Sequence, residues 1–144
     1  MTSKQRKLDT LSAVIGELAK LLQAKYGDEV LSVFQDVLKE YGYQSGLKLS
    51  KKMTNLSFSD RITAWIEPFI KKGQSEFVEI EADFVTLKGH DCPLNLEGTN
   101  RELCESLMKL DEGLVSALAE NEISMRIEKS RACGDEHCLV TFSK

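Results

Sequence analysis

The sequence predicts an α+β domain in which helices cover an antiparallel sheet, and three observations predict it. From Leu8 to Ile70 the apolar residues recur at spacings of three and four, the period of a helix face. From Glu76 to Leu87, and again from Ile123 to Phe142, they alternate as strands do. Of the 144 residues 42% are hydrophobic and 29% charged, enough for one domain with a core and too few residues for two.

The first helix is expected over residues 5–25, on the stripe Leu8, Leu11, Ile15, Leu18 and Leu22, widened by Val14 and Leu21. Packing of this stripe on the protein's own core is expected. The alternative is that residues 1–25 form a dimerisation helix, although the seam is too short for a coiled coil. Asp28 is placed to N-cap a second helix with Val30, Leu31, Phe34, Val37, Leu38 and Tyr41 on one face, ending at Gly42. Residues 44–56, with Lys48, Lys51 and Lys52, read as a polar loop. Ser57 or Ser59 caps a third helix carrying Phe58, Ile62, Trp65, Ile66, Phe69 and Ile70, its last turn expected to be kinked or shortened by Pro68 and its end at Gly73.

A hairpin follows, with Val78 and Ile80 facing in, Glu79 and Glu81 facing out, and Phe84-Val85-Thr86-Leu87 returning. Thr99 and Glu102 form a capping box for a fourth helix over Leu103, Leu107, Leu110, Leu114 and Leu118. A second hairpin closes the domain, with Cys133-Gly134-Asp135-Glu136 at its tip. The order is three helices, a hairpin, a helix and a hairpin.

Composition narrows the function. The net charge is −4, from 23 acidic and 19 basic residues, without a basic stripe, which disfavours direct nucleic-acid binding. No apolar run is long enough to span a membrane, and the polar start lacks a signal-peptide core, so a cytoplasmic location is expected.

Four cysteines, Cys92, Cys104, Cys133 and Cys138, are separated by 11, 28 and four residues. In a reducing compartment they point to metal, redox or catalytic chemistry rather than disulfides. One lies in a turn, one at a helix start where the dipole favours a thiolate, and two flank a hairpin tip. Sheet and helix can bring these places together. Soft thiolates suit zinc or an iron–sulfur cluster, with His90, His137 and Glu128 as further ligands. Alternatively the cysteines are small buried hydrophobes, or Cys104 is a nucleophile with His90 or His137 as its base. No P-loop, dinucleotide fingerprint or nucleophile elbow is present.

The segments Cys92-Pro93-Leu94, Glu102-Leu103-Cys104-Glu105, Asp111-Glu112-Gly113-Leu114 and Cys133-Gly134-Asp135-Glu136-His137-Cys138-Leu139-Val140 resemble a set of related families. These are the 4-vinyl reductase (hydrocarbon-binding) domains, the methanogen output domain and the aminothiazoline-carboxylate hydrolase-like proteins. The resemblance covers residues 90–142, and more loosely 27–47 through Tyr26-Gly27-Asp28-Glu29 and Tyr41-Gly42-Tyr43-Gln44-Ser45-Gly46. It implies the vinyl-reductase fold, which trafficking-complex subunits share. It also implies a zinc held by Cys104, Glu128, Cys133 and Cys138 in a cysteine-bearing half over residues 76–144. The hairpin cysteines lie closer together than in that pattern, and Cys92 is an additional thiol able to replace Glu128. A related repressor group carrying a similar cysteine set makes an iron–sulfur cluster the alternative, though no winged helix precedes residue 88.

The expected function is therefore a small sensory or ligand-binding module. Its metal site would lie beside an apolar pocket shaped by Phe58, Trp65, Phe69 and Phe77, with a small apolar ligand and a protein partner or second copy. The alternative is a hydrolase using the Cys104 thiolate or a metal-bound water, with His137 or Glu128 as base.

Overall fold

A computed structural model describes residues 8–144, so the first residues of the expected dimerisation helix lie outside it. Helix α1 (Leu11–Tyr26) leads through a 3-10 turn to α2 (Leu31–Lys51) and α3 (Phe58–Lys71). The hairpin β1 (Ser75–Ile80) and β2 (Phe84–Gly89) follows, then α4 (Arg101–Leu107) and α5 (Lys109–Ala119). The strands β3 (Ser124–Lys129) and β4 (Cys138–Ser143) flank a 3-10 turn at Arg131–Cys133. The four strands are antiparallel in the order β1-β2-β4-β3, so the two hairpins meet along β2 and β4. Leu87 faces Val140 and Val85 faces Phe142 across that seam. Thr86 and Thr141, between them in the register, join hydroxyls at 2.8 Å. The expected class and element order are observed.

Helix α1 is capped by Thr10, whose hydroxyl accepts the Ala13 N–H at 3.0 Å. The face it buries is not the leucine stripe. Ala13, Gly16 and Ala19 are buried, whereas Leu11, Leu18 and Leu21 are exposed. The reason is steric: a Cβ at Gly16 would sit 1.9 Å from the Leu94 carbonyl oxygen, so the helix rests on the loop backbone where only small residues fit.

Helix α2 does not stop at Gly42, and residues 44–51 are helix rather than loop. Gly42 and Gly46 are buried against α5. A Cβ at Gly42 would meet the Leu110 carbonyl oxygen at 1.9 Å, and one at Gly46 the Leu114 oxygen at 2.5 Å. From the other side, a Cβ at Gly113 would meet the Lys39 oxygen at 2.1 Å. The two helices lie backbone on backbone, an approach that small residues four apart permit. They run in the same direction: Gln35 donates to Ser106, Gly42 meets Leu110 and Gly46 meets Leu114. Arg61 of α3 closes the far end, donating at 2.9 Å to both Ser50 Oγ and the Leu118 carbonyl.

Three further expectations are corrected. A bulge between Phe77 and Glu79 turns Phe77 toward the core and leaves Val78 and Ile80 exposed on the edge strand. Asn100, not Thr99, caps the fourth helix, its Oδ1 accepting the Leu103 N–H at 2.9 Å. That helix is also divided at Met108 into α4 and α5. Ser57 caps α3, and the chain leaves it through Gly73 at φ 73°, both as expected.

The glycine seat makes a direct prediction. In a solvated helix Gly→Ala stabilises by about 0.5–1 kcal/mol. Gly42→Ala should instead destabilise by about 3 kcal/mol, the upper range of overpacking, because backbone rather than a movable side chain blocks the methyl. Urea denaturation reads the sign; an unchanged or raised midpoint contradicts the packing.

Candidate functional site

Helices and sheet do not meet solidly throughout. A cavity of about 370 Å³ lies between them, lined from α1 by Ile15, from α3 by Trp65 and Phe69, and from the sheet by Leu87, Val140 and Phe142. Leu107, Met108, Leu110 and Asp111 close it from the α4–α5 side. The volume falls within the range of about 300–1,000 Å³ typical of small-molecule pockets. Trp65 and Phe142 meet edge to face with centroids 6.2 Å apart. Trp65 and Phe69 line the cavity as expected. Phe58 and Phe77 do not: Phe58 is buried in the core, and Phe77 packs against it. A more open cleft of about 590 Å³ lies over Asp28, Gln35, Glu102, Glu105 and Lys109, with a largely charged and polar lining.

Three of the four thiols converge on the enclosed cavity. Cys92 enters from the loop after β2, Cys104 from α4 and Cys138 from the start of β4. Each has a defined partner. The Leu96 N–H reaches Cys92 Sγ at 3.4 Å, the Ser130 hydroxyl donates to Cys104 Sγ at 3.1 Å, and the Arg131 N–H reaches Cys138 Sγ at 3.5 Å. Ser130 is fully buried and also accepts the Ala132 N–H, which fixes its hydroxyl. Cys133 lies outside the cavity and is exposed, at the end of the 3-10 turn. It is still close enough that its charge would oppose ionisation of Cys104.

Burial decides the chemistry of these thiols. It pushes Cys104 up to about 11, and the Ser130 hydrogen bond only partly offsets that. Burial raises Cys92 as well. Desolvation therefore overrides the helix start that was expected to favour a Cys104 thiolate. At neutral pH Cys104 is a thiol. It is bonded to Ser130 rather than paired with His137, so the nucleophile–base arrangement of a hydrolase is not formed.

The remaining proposed ligands are placed elsewhere. Glu128 pairs with Arg126 at 2.6 Å and does not line the cavity. His90 pairs with Glu76 at 3.0 Å. His137 lies half-buried near the hairpin tip. Among the described residues no three histidine, cysteine or acidic side chains are placed to hold a metal ion. The thiols share a wall without forming a coordination sphere, so the arrangement as it stands does not fit a metal centre.

Asp111 of α5 is a further group on this wall. It is half-buried and lines the cavity. Burial alone raises it to about 6. The signal was its position: Leu107, Asp111, Leu114 and Leu118 share one helix face, so the aspartate interrupts an otherwise apolar stripe.

No family model and no curated protein matches the chain. Solved structures do. The phenol-responsive sensory domain of the transcription activator PoxR, crystallised with phenol, aligns with a TM-score of 0.68 at 16% identity, covering 99% of this chain and 79% of that one. A trafficking protein particle complex subunit 3 from Naegleria fowleri, covalently bound to palmitic acid, aligns with a TM-score of 0.58 at 13% identity. That match covers 92% of this chain and 93% of the other. At these identities the likeness establishes a shared fold. No described helix is long and apolar enough to cross a membrane.

Asp111 makes stability depend on pH. Its folded pKa, about 6, exceeds the ordinary 3.8, so the folded state is fully favoured below pH 3.8 and loses stability as pH rises through 6. The cost at neutral pH is up to about 3 kcal/mol. Asp111→Asn should therefore be more stable than the parent at pH 7, with the gap closing below pH 4. Denaturation midpoints across that range check this; a gap independent of pH contradicts the burial.

Proposed function

We propose that the protein is a sensory or ligand-binding module that takes a small, mainly apolar molecule into the cavity between its helices and sheet. The observation that carries this is the mainly apolar cavity itself. Its wall of aliphatic and aromatic side chains keeps Cys104 a thiol bonded to Ser130 and forms no Cys–His pair there, so it is equipped to bind rather than to hydrolyse. The two neighbours of like fold carry phenol and palmitic acid, both with apolar bodies, which supports the reading. It also agrees with the resemblance to hydrocarbon-binding vinyl reductase domains.

A second reading rests on the convergence of Cys92, Cys104 and Cys138 on one wall. In this reading the side chains regroup around zinc or, as the alternative, an iron–sulfur cluster, with Cys133 or Glu128 completing the set. The metal would cross-link the loop, α4 and the second hairpin.

One experiment separates the two. Toluene is added and iodoacetamide labelling is followed thiol by thiol. Cys92 and Cys138 should become protected several-fold, while exposed Cys133 is unaffected. No difference among the thiols sinks the cavity reading. Chelator treatment before labelling should change nothing; acceleration at Cys104 and Cys138 would favour the metal reading instead.

A further inference from the structure

The charged groups of the cavity are all of one sign. Its lining includes Asp91 and Asp111 but no lysine, arginine or histidine. Asp91 is exposed, whereas Asp111 is half-buried on the cavity wall, and its carboxyl receives no hydrogen bond or ion pair from the described residues. The cations on the surrounding helices are committed elsewhere. Lys20 binds Glu17 and the Asn95 carbonyl, and Lys39 pairs with Glu122. Arg101 pairs with Glu105, and Lys109 with Glu112. The polar groups at the sulfur end are also occupied, since Ser130 donates to Cys104. A half-buried carboxylate without a donor, set in a mainly apolar wall that carries no basic residue, is left to find its counter-charge in a ligand.

Aromatic side chains supply the other half of the argument. Trp65, Phe69 and Phe142 face the same space, and aromatic faces attract organic cations once water is excluded. A cavity with carboxylates, aromatic rings and no basic group repels a fatty-acid headgroup and welcomes a positive charge. A neutral hydroxyl would satisfy the hydrogen bond but would leave the half-buried negative charge uncompensated.

Building on the cavity reading above, we propose that the ligand is a compact apolar amine, its ammonium group bound by Asp111 and its body held against Trp65, Phe69 and Phe142. Ligand class would then be set by a single residue of α5. The same cavity with a neutral residue at that position would accept uncharged hydrocarbons.

Trp65 is the protein's single tryptophan and lines the cavity, so its emission reports occupancy directly. The test titrates the full chain with two matched sets: benzylamine, benzyl alcohol and toluene, then 2-phenylethylamine and ethylbenzene. A charge-assisted hydrogen bond predicts that the amines bind on the order of tenfold or more tightly than the hydrocarbons. Asp111→Asn should erase that preference while toluene binding persists. Toluene or benzyl alcohol binding as well as benzylamine overturns the amine proposal and leaves the apolar cavity standing. Amine preference that survives Asp111→Asn overturns the assignment to Asp111. Failure of every probe overturns both the proposal and the cavity reading. The selectivity of the parent protein is decisive even if the variant folds poorly.

Discussion

The backbone-to-backbone contact of α2 with α5 is the constraint on which the rest of the structure depends. Gly42 and Gly46 on one helix and Gly113 on the other remove the side chains that would otherwise hold the helices apart. Because the contact is made by main-chain atoms, it cannot be relaxed by choosing another rotamer. It fixes α5 laterally, and Arg61 fixes its end. The division at Met108 then directs α4 toward Ser130 and the second hairpin. The consequence is a rigid wall presenting Cys104, Leu107 and Asp111 to the sheet across a space that no protein side chain fills. The seat of α1 on Leu94 applies the same device to the loop that carries Cys92.

Within that space, desolvation dominates the electrostatics. It keeps Cys104 protonated despite its place in the first turn of a helix, and it raises Asp111 without any competing partner. A site organised for catalysis by these groups would lower the thiol and supply it with a base. The geometry does neither for Cys104 and leaves the wall around it mainly apolar. It explains how thiols can gather on one wall without acting together: each is satisfied by a local donor and contributes surface.

The sequence was legible where burial and period agree. The third helix, the second hairpin and the paired strands β2 and β4 follow from spacing alone, because most of their apolar side chains face the core. It misled where backbone packing replaces side-chain packing. The leucines of α1 look like a core stripe, yet Ala13, Gly16 and Ala19 are the buried positions. Gly42 looks like a helix stop, whereas its spacing of four from Gly46 on one helix face was the signal of a close helix partner. Val78 and Ile80 were misplaced by a bulge, which period-two reasoning does not detect. Of the candidate site, convergence of all four thiols is the sequence expectation; Cys92, Cys104 and Cys138 share the cavity wall, whereas Cys133 lies exposed outside it. Glu128 and His90 were not separable from them, because a strand or turn position does not reveal a local ion pair with Arg126 or Glu76.

Helix packing holds open a mainly apolar space beside the thiols. Xenon is the most direct probe, because it binds apolar voids without requiring a polar partner. Crystals pressurised with xenon should show an anomalous peak among Leu107, Val140 and Phe142, with the helices unmoved. Absence of xenon there, with the space closed by side chains or filled by an ordered water cluster, would contradict the account.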